Sequence, residues 1–323
     1  MTLPTKPRKP ESVQPGGGTC MAIEVAWGRC RRRLLRALRP GYVRAMQEKR
    51  QGRCPDCPHD IIDPRDLKYV RNTCGFWFRP EDDRFAWRGR LGFARHGLAE
   101  LMLASTAYFA LGGAAASAAL RLHPTLWIAF AALTLVWLEI VWFFRDPERA
   151  IPQEEGAVVS PADGTVTHAE TIDDPEFPGG RALRISIFLS IFNVHGNRMP
   201  CAARVTDVRY FPGAFLDARH PDSAVRTEQL WIDALDTADR PMRVKQISGA
   251  IARRIVCWLK SGDMLERGER IGMIKLGSRT DLLLPADAVD SVRVKVGDKV
   301  RGGATVLLMV RRADQSRDHG SRY

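Results

Sequence analysis

The sequence predicts a mainly β protein, a compact barrel-sandwich at 150–323, carried behind an N-terminal α-helical transmembrane hairpin at 90–148. Three observations predict it. From about residue 153 the chain reads as short β-branched runs broken by Gly, Pro and Asp, the pattern of closely spaced strands. Before that lie two apolar runs, 98–120 and 126–144, each close to the roughly 20 residues that cross a bilayer as helix. A weak internal repeat joins Gly262-Asp263 and Gly297-Asp298, each followed by an apolar residue, a later glycine and a strand.

Residues 1–85 form a basic, cysteine-bearing extension. The net charge is +12, and residues 1–53 hold 13 Lys/Arg against 3 Asp/Glu. Residues 1–20 are rich in Pro, Gly and Lys and are expected to be partly disordered. Residues 30–50 suit a short basic amphipathic helix limited by Pro40, a segment drawn to anionic lipid headgroups. Interleaved aromatics are lacking, so no nucleic-acid partner is expected. The seven cysteines are irregularly spaced, which argues against a secreted disulfide framework. Cys54, Cys57, His59 and Cys74 make a weak candidate zinc set, against the alternative of free thiols, and no other metal is expected.

The hairpin is flanked outside by Arg84, Arg88, Arg90 and Arg95 and by Arg145 and Arg149. The positive-inside rule therefore places both flanks, and the β region, on the cytoplasmic side of the cell membrane. Trp127, Trp137 and Trp142 suit interfacial depths, whereas Glu139 inside the second run needs a partner. A buried hairpin in a soluble core is the alternative.

Within the β region, Arg270 to Pro285 reads as strand, tight turn at Gly277-Ser278, strand. Taken alone that pair is an ordinary turn, as is Asp163-Gly164. A lone His195 after a strand is more often a packed residue than a catalyst. Arg253 and Arg254 are either solvated charges or a paired grip on a phosphate.

Four stretches in this order resemble the phosphatidylserine decarboxylases, in their short bacterial branch. They are Ser160-Pro161-Ala162-Asp163-Gly164, the run from Phe188 through His195 to Arg198-Met199-Pro200, the run from Val244 to Val256, and Gly277-Ser278-Arg279-Thr280. The run from Phe143 to Pro152 is similar to the family's link between hairpin and enzyme, and the two glycine-aspartate units resemble the hammerheads of biotinyl and lipoyl barrels.

The resemblance implies a proenzyme. The chain would cut itself between Gly277 and Ser278, as the serine hydroxyl attacks the preceding carbonyl and the resulting ester eliminates. The products would be a large chain, 1–277, and a small chain, 278–323, that begins with a covalent pyruvoyl cofactor derived from Ser278. That ketone would form an imine with the amine of phosphatidylserine and accept the electrons released with CO2, giving phosphatidylethanolamine. The implied catalytic residues are Ser278, His195 and Asp163, with Asp163 supporting a base beside Ser278 and His195 protonating the carbanion. Arg198 stands where the longer members carry a second histidine, which leaves the cleavage base open. Arg198, Arg253 and Arg254 are the substrate-binding candidates, the phospholipid and the membrane are the implied partners, and a homo-oligomer is allowed. Two alternatives stay open: another serine-headed lipid as substrate, or a non-catalytic membrane adaptor with a lipoyl-like barrel.

Overall fold

The computed structural model describes residues 6–213, 227–249, 254–275 and 278–311. The described part is mostly sheet, with helices confined to the N-terminal side. Helices α1 (Thr19–Leu38) and α2 (Pro40–Lys49) precede a small pair of strands, β1 (Gln51–Gly52) and β2 (Phe76–Trp77). Pro40 sits at the start of α2, where its missing N–H costs nothing and its ring stops α1. Residues 6–18, expected to be partly disordered, instead lie along the barrel. Val13 is fully buried, its N–H donates to Tyr69 O, and its carbonyl accepts from Cys257 N. The basic face of α1 is also engaged within the chain: Arg31, Arg32 and Arg36 pair with Asp60, Asp63 and Asp66.

Helices α3 (Leu98–Arg121) and α4 (Leu126–Phe143) follow, joined by a four-residue turn, so they run antiparallel. Both are long and apolar enough to cross a membrane by length and composition. Tyr108 stacks on Trp137 at 4.6 Å, the Trp137 indole donates to Ser105 Oγ at 3.0 Å, and Tyr108 and Thr134 share a hydroxyl hydrogen bond. Most other large side chains point outward, including Met102, Phe109, Leu120, Ile128 and Leu135. A core helix of a soluble protein would bury them.

The β region begins with β3 (Ala157–Val159), β4 (Gly164–Asp173), β5 (Arg181–Leu189), β6 (Gly196–Arg198) and β7 (Ala203–Phe211). It continues with β8 (Gln229–Asp236), β9 (Pro241–Ser248), β10 (Arg254–Cys257), β11 (Met264–Leu265) and β12 (Arg270–Lys275). It ends with β13 (Ser278–Pro285), β14 (Val289–Val292), β15 (Lys299–Val300) and β16 (Val306–Val310). Eight strands form one curled sheet in the order β11-β7-β8-β9-β13-β5-β4-β15. Two three-stranded sheets, β10-β12-β6 and β14-β16-β3, accompany it, so the described β region is a curled half-barrel with two small sheets.

The internal repeat is structural. Gly262 and Gly297 both have φ above 90°, a region that penalises any side chain, and each opens a turn whose aspartate accepts a backbone N–H three residues back. Gly262 N donates to Val205 O and Val205 N returns to Asp263 O; Gly297 N and Val166 N make the same exchange with Val166 O and Asp298 O. The strand after each turn therefore enters its sheet alike: β11 against β7, and β15 against β4.

The expected strand, turn and strand around residue 277 differ in one respect. β12 and β13 lie in different sheets, so the chain crosses from the small sheet to the large one between them. β13 is then the central strand of the large sheet, paired along its full length with β5 and over Ser278–Leu283 with β9.

Candidate active site

Four elements meet where β13 begins. Ser278 lies opposite Leu189 of β5 and Ser248 of β9, and its side chain is fully buried. Successive strand residues alternate in facing, so Ser278 shares a face with Thr280, as does Ser248 with Gln246. The small sheet packs across this face through Asn197: its amide donates to Thr280 Oγ1 at 3.2 Å, and its Oδ1 accepts from Gln246 at 2.7 Å. His195 stands two residues before Asn197, and its carbonyl accepts from Ile274 N, four residues before Ser278 in the chain. His195 thus adjoins the small sheet whose Asn197 packs across the Ser278 face of β13.

The protonation geometry of His195 follows from its bonds. Nδ1 lies 2.9 Å from Asn193 O, which can only accept, so Nδ1 carries the proton. The lone pair of the neutral ring is then on Nε2, which is buried and makes no hydrogen bond. Burial pushes the pKa down to about 4, so the ring is neutral at pH 7. The Ser278 Oγ is likewise buried, with no hydrogen bond among the described residues. Two orphaned polar atoms, an acceptor nitrogen and a hydroxyl, are what a proton transfer from the serine requires.

Asp163 does not complete a relay with them. Its carboxylate is held by Arg149 at 2.7 Å and by the amide of Gly302 at 2.7 Å. Burial nevertheless holds its pKa above the usual carboxylate range. Phe188 lies opposite Thr165 on one side and Arg279 on the other, so Asp163 sits about 10 Å from the Ser278 strand, two strand spacings away. The adjoining Asp163-Gly164 step is a strand entry rather than a turn. A Cβ at 164 would stand 2.2 Å from the Phe188 carbonyl, so only glycine fits.

Two of the three expected substrate arginines, Arg198 and Arg254, are bonded within the chain. Arg198 is buried, donating to Asp146 at 3.0 Å and to the carbonyls of Gly268 and Pro147. Arg254 donates to Gly16 O at 3.1 Å. Arg253 and Gly277 lie outside the described residues. Of the candidate zinc set, Cys54, Cys57 and Cys74 come together, with Cys54 and Cys57 joined as a disulfide, while His59 sits apart on Thr73.

Sequence reasoning missed the contacts that dock the hairpin on this site. The His195 ring packs at 4.3 Å on Phe143, the last residue of α4. The Trp142 indole and the Arg145 guanidinium both donate to Phe192 O, and Phe192 itself is exposed. Glu100, in the first turn of α3, pairs with Lys275 at the end of β12. Asp146 is gripped by both Arg198 and Arg270. The charges of the Phe143–Pro152 run were the available signal, since a buried-side aspartate after an apolar helix needs cationic partners. We expect Asp146→Ala to lower stability by about 3–5 kcal/mol, because it strands a buried guanidinium. A denaturation midpoint shift worth under about 1 kcal/mol would place that pair outside the barrel's stable core.

A cleft of about 1070 Å³ opens beside the small sheet, with Gly196, Arg198 and Met273 on its floor and Phe76, Trp77 and Phe78 on its wall. His195 and Ser278 do not line it. Both residues are fully buried.

Residues 138–308 match the family model described as phosphatidylserine decarboxylase. The chain is 43% identical over 243 residues to a phosphatidylserine decarboxylase proenzyme of Rhodopirellula baltica, covering 75% of this chain and 98% of that one. The chain belongs to the phosphatidylserine decarboxylase family. Proenzymes of the same name from Symbiobacterium thermophilum and Desulfotalea psychrophila are 46% and 45% identical. They cover 56% and 52% of this chain, and 83% and 77% of their own lengths. The family match takes in Asp163, His195 and Ser278 and leaves the cysteine-bearing extension outside.

Proposed function

We propose that this chain is a self-cleaving phosphatidylserine decarboxylase, anchored by α3 and α4 with its barrel on the cytoplasmic face of the cell membrane. The observation that carries the reading is a pair of buried polar atoms: the unbonded hydroxyl of Ser278 and the unbonded Nε2 of a neutral His195. His195 takes the Ser278 proton as Oγ attacks the carbonyl of Gly277. The base left open by the family comparison is thus His195, with Asp163 a positioning residue that clamps the 160–164 segment to Arg149 and Gly302.

The residues present fit a pyruvoyl group at 278, since the position is enclosed and its oxygen has no competing bond. That group supplies the electron sink for loss of CO2. Around it, His195 holds a proton-exchanging nitrogen, and Ser248, Thr280 and Gln246 supply a polar wall. After the cut, β13 stays in place because both its edges are hydrogen-bonded, so the large and small chains remain one body.

The docking of His195 on Phe143 favours a lipid substrate. It fixes the reactive end of the barrel to the foot of the apolar hairpin, where headgroups lie, and spares the substrate a search through solution. The purified protein in phosphatidylserine vesicles is expected to release CO2, accumulate phosphatidylethanolamine, and yield a 278–323 fragment whose mass shows a ketone in place of its first amine. An intact chain with no CO2 release favours the adaptor reading. A cut chain inactive on phosphatidylserine points to another serine-headed lipid.

A further inference from the structure

Three of the five cysteines of the extension, outside that chemistry, are gathered by the fold. Cys54 and Cys57 sit on one turn, closed by Cys57 N donating to Cys54 O at 3.2 Å. The pairing of Gly52 with Phe76 brings Cys74 alongside, with its sulfur 3.5 Å from that of Cys57. The Gly75 amide donates to Cys54 Sγ at 3.3 Å, a bond that favours a thiolate. All three sulfurs lie within 4.8 Å of one another. Thiolates around a tetrahedral Zn²⁺ stand about 3.8 Å apart, so little movement separates this arrangement from a metal site.

We propose that Cys54, Cys57 and Cys74 bind one structural Zn²⁺, with the fourth position filled when the imidazole of His59 turns from Thr73 toward the metal. The Cys54–Cys57 disulfide is then the oxidised form of the site. A dithiol reductant supplies two electrons and two protons to the disulfide, leaving two thiols here and a disulfide in the reductant, and zinc binding then releases three protons from the three thiols. A disulfide across two residues closes too small a loop to restrain much chain, and it leaves Cys74 without a role. A metal ties 54–57 to 74 and so fixes the whole excursion between β1 and β2. His59 already lies against Thr73, next to Cys74.

The site has a structural task. The cluster supports Phe76, Trp77 and Phe78, which wall the cleft beside the small sheet. It is bonded to the opposite wall: Lys260 Nζ donates to Cys74 O, and Arg71 donates to Trp258 O and Asp263. Zinc would set the width of that cleft.

The test uses the full chain in detergent, purified under dithiothreitol. Metal analysis is expected to find one zinc per chain, and Co²⁺ replacement to give thiolate-to-metal charge-transfer absorption. Cys57→Ser and Cys74→Ser should each lose the metal while still producing the 278–323 fragment, which reports that the barrel has folded. His59→Ala should weaken zinc binding about 10–100-fold; unchanged affinity overturns its assignment. Reduced wild-type protein that neither carries zinc nor takes it up from solution overturns the site, as does a Cys54–Cys57 disulfide that persists under reductant. None of these readings depends on decarboxylation.

Discussion

Ser278→Ala is expected to fold and yet remain a single uncut chain of 36.2 kDa on a denaturing gel, with no decarboxylase activity. The two halves of that result have separate causes. In the proposed cleavage the hydroxyl is the nucleophile, and alanine offers none, so the loss of cleavage should be complete rather than partial. The hydroxyl also makes no hydrogen bond in the folded chain, so deleting it strands no partner. Removing a buried, unbonded hydroxyl is neutral or mildly stabilising, within about 1 kcal/mol. The variant's thermal midpoint should therefore match that of an uncut wild-type chain. A Ser278→Ala protein that still yields the small chain would end the proposal. One that fails to fold would contradict the idle hydroxyl seen at the start of β13.

The same residues show what could be read in advance and what could not. The strands at 164–167, 183–189 and 205–210 follow from β-branched runs, and the glycine-aspartate repeat foretold two equivalent turns, because both signals are local. Cys54, Cys57 and Cys74 were a weak pattern by spacing alone; only the pairing of β1 with β2 brings 74 to 57. The resemblance offers Arg198 as a substrate-binding candidate, and in the fold it pairs with Asp146, 52 residues away across the end of the hairpin. The Ser160–Gly164 box implies Asp163 beside the base, and in the fold its carboxylate is held by Arg149 and by Gly302, the latter 139 residues on. Long-range pairs between sheets leave no periodic trace. The ordered course of residues 6–18 was also hidden, since their composition is that of a loose tail and only the barrel surface supplies the partner for Val13.

His195→Ala is expected to slow self-cleavage by about 10²–10⁴-fold, the contribution of a positioned base. The pH dependence separates that role from a packing role against Phe143. In wild type the ring becomes the neutral base as pH rises through about 4, so the cleavage rate should climb across that region and be flat near pH 7. His195→Gln keeps a polar, similarly sized side chain but has no titrating nitrogen; it should fold, cleave slowly and lose the climb. Stability carries the matching sign. Between pH 6.5 and about 4 the unfolded histidine binds a proton that the buried one does not, so folding weakens as pH falls through that window. The lowering corresponds to about 3 kcal/mol at 1.36 kcal/mol per pH unit. In His195→Gln that part of the acid sensitivity should vanish. If instead the variant kept both the wild-type cleavage profile and its acid sensitivity, the proton at the serine would be taken by another group and His195 would serve only to seat the barrel on the end of α4.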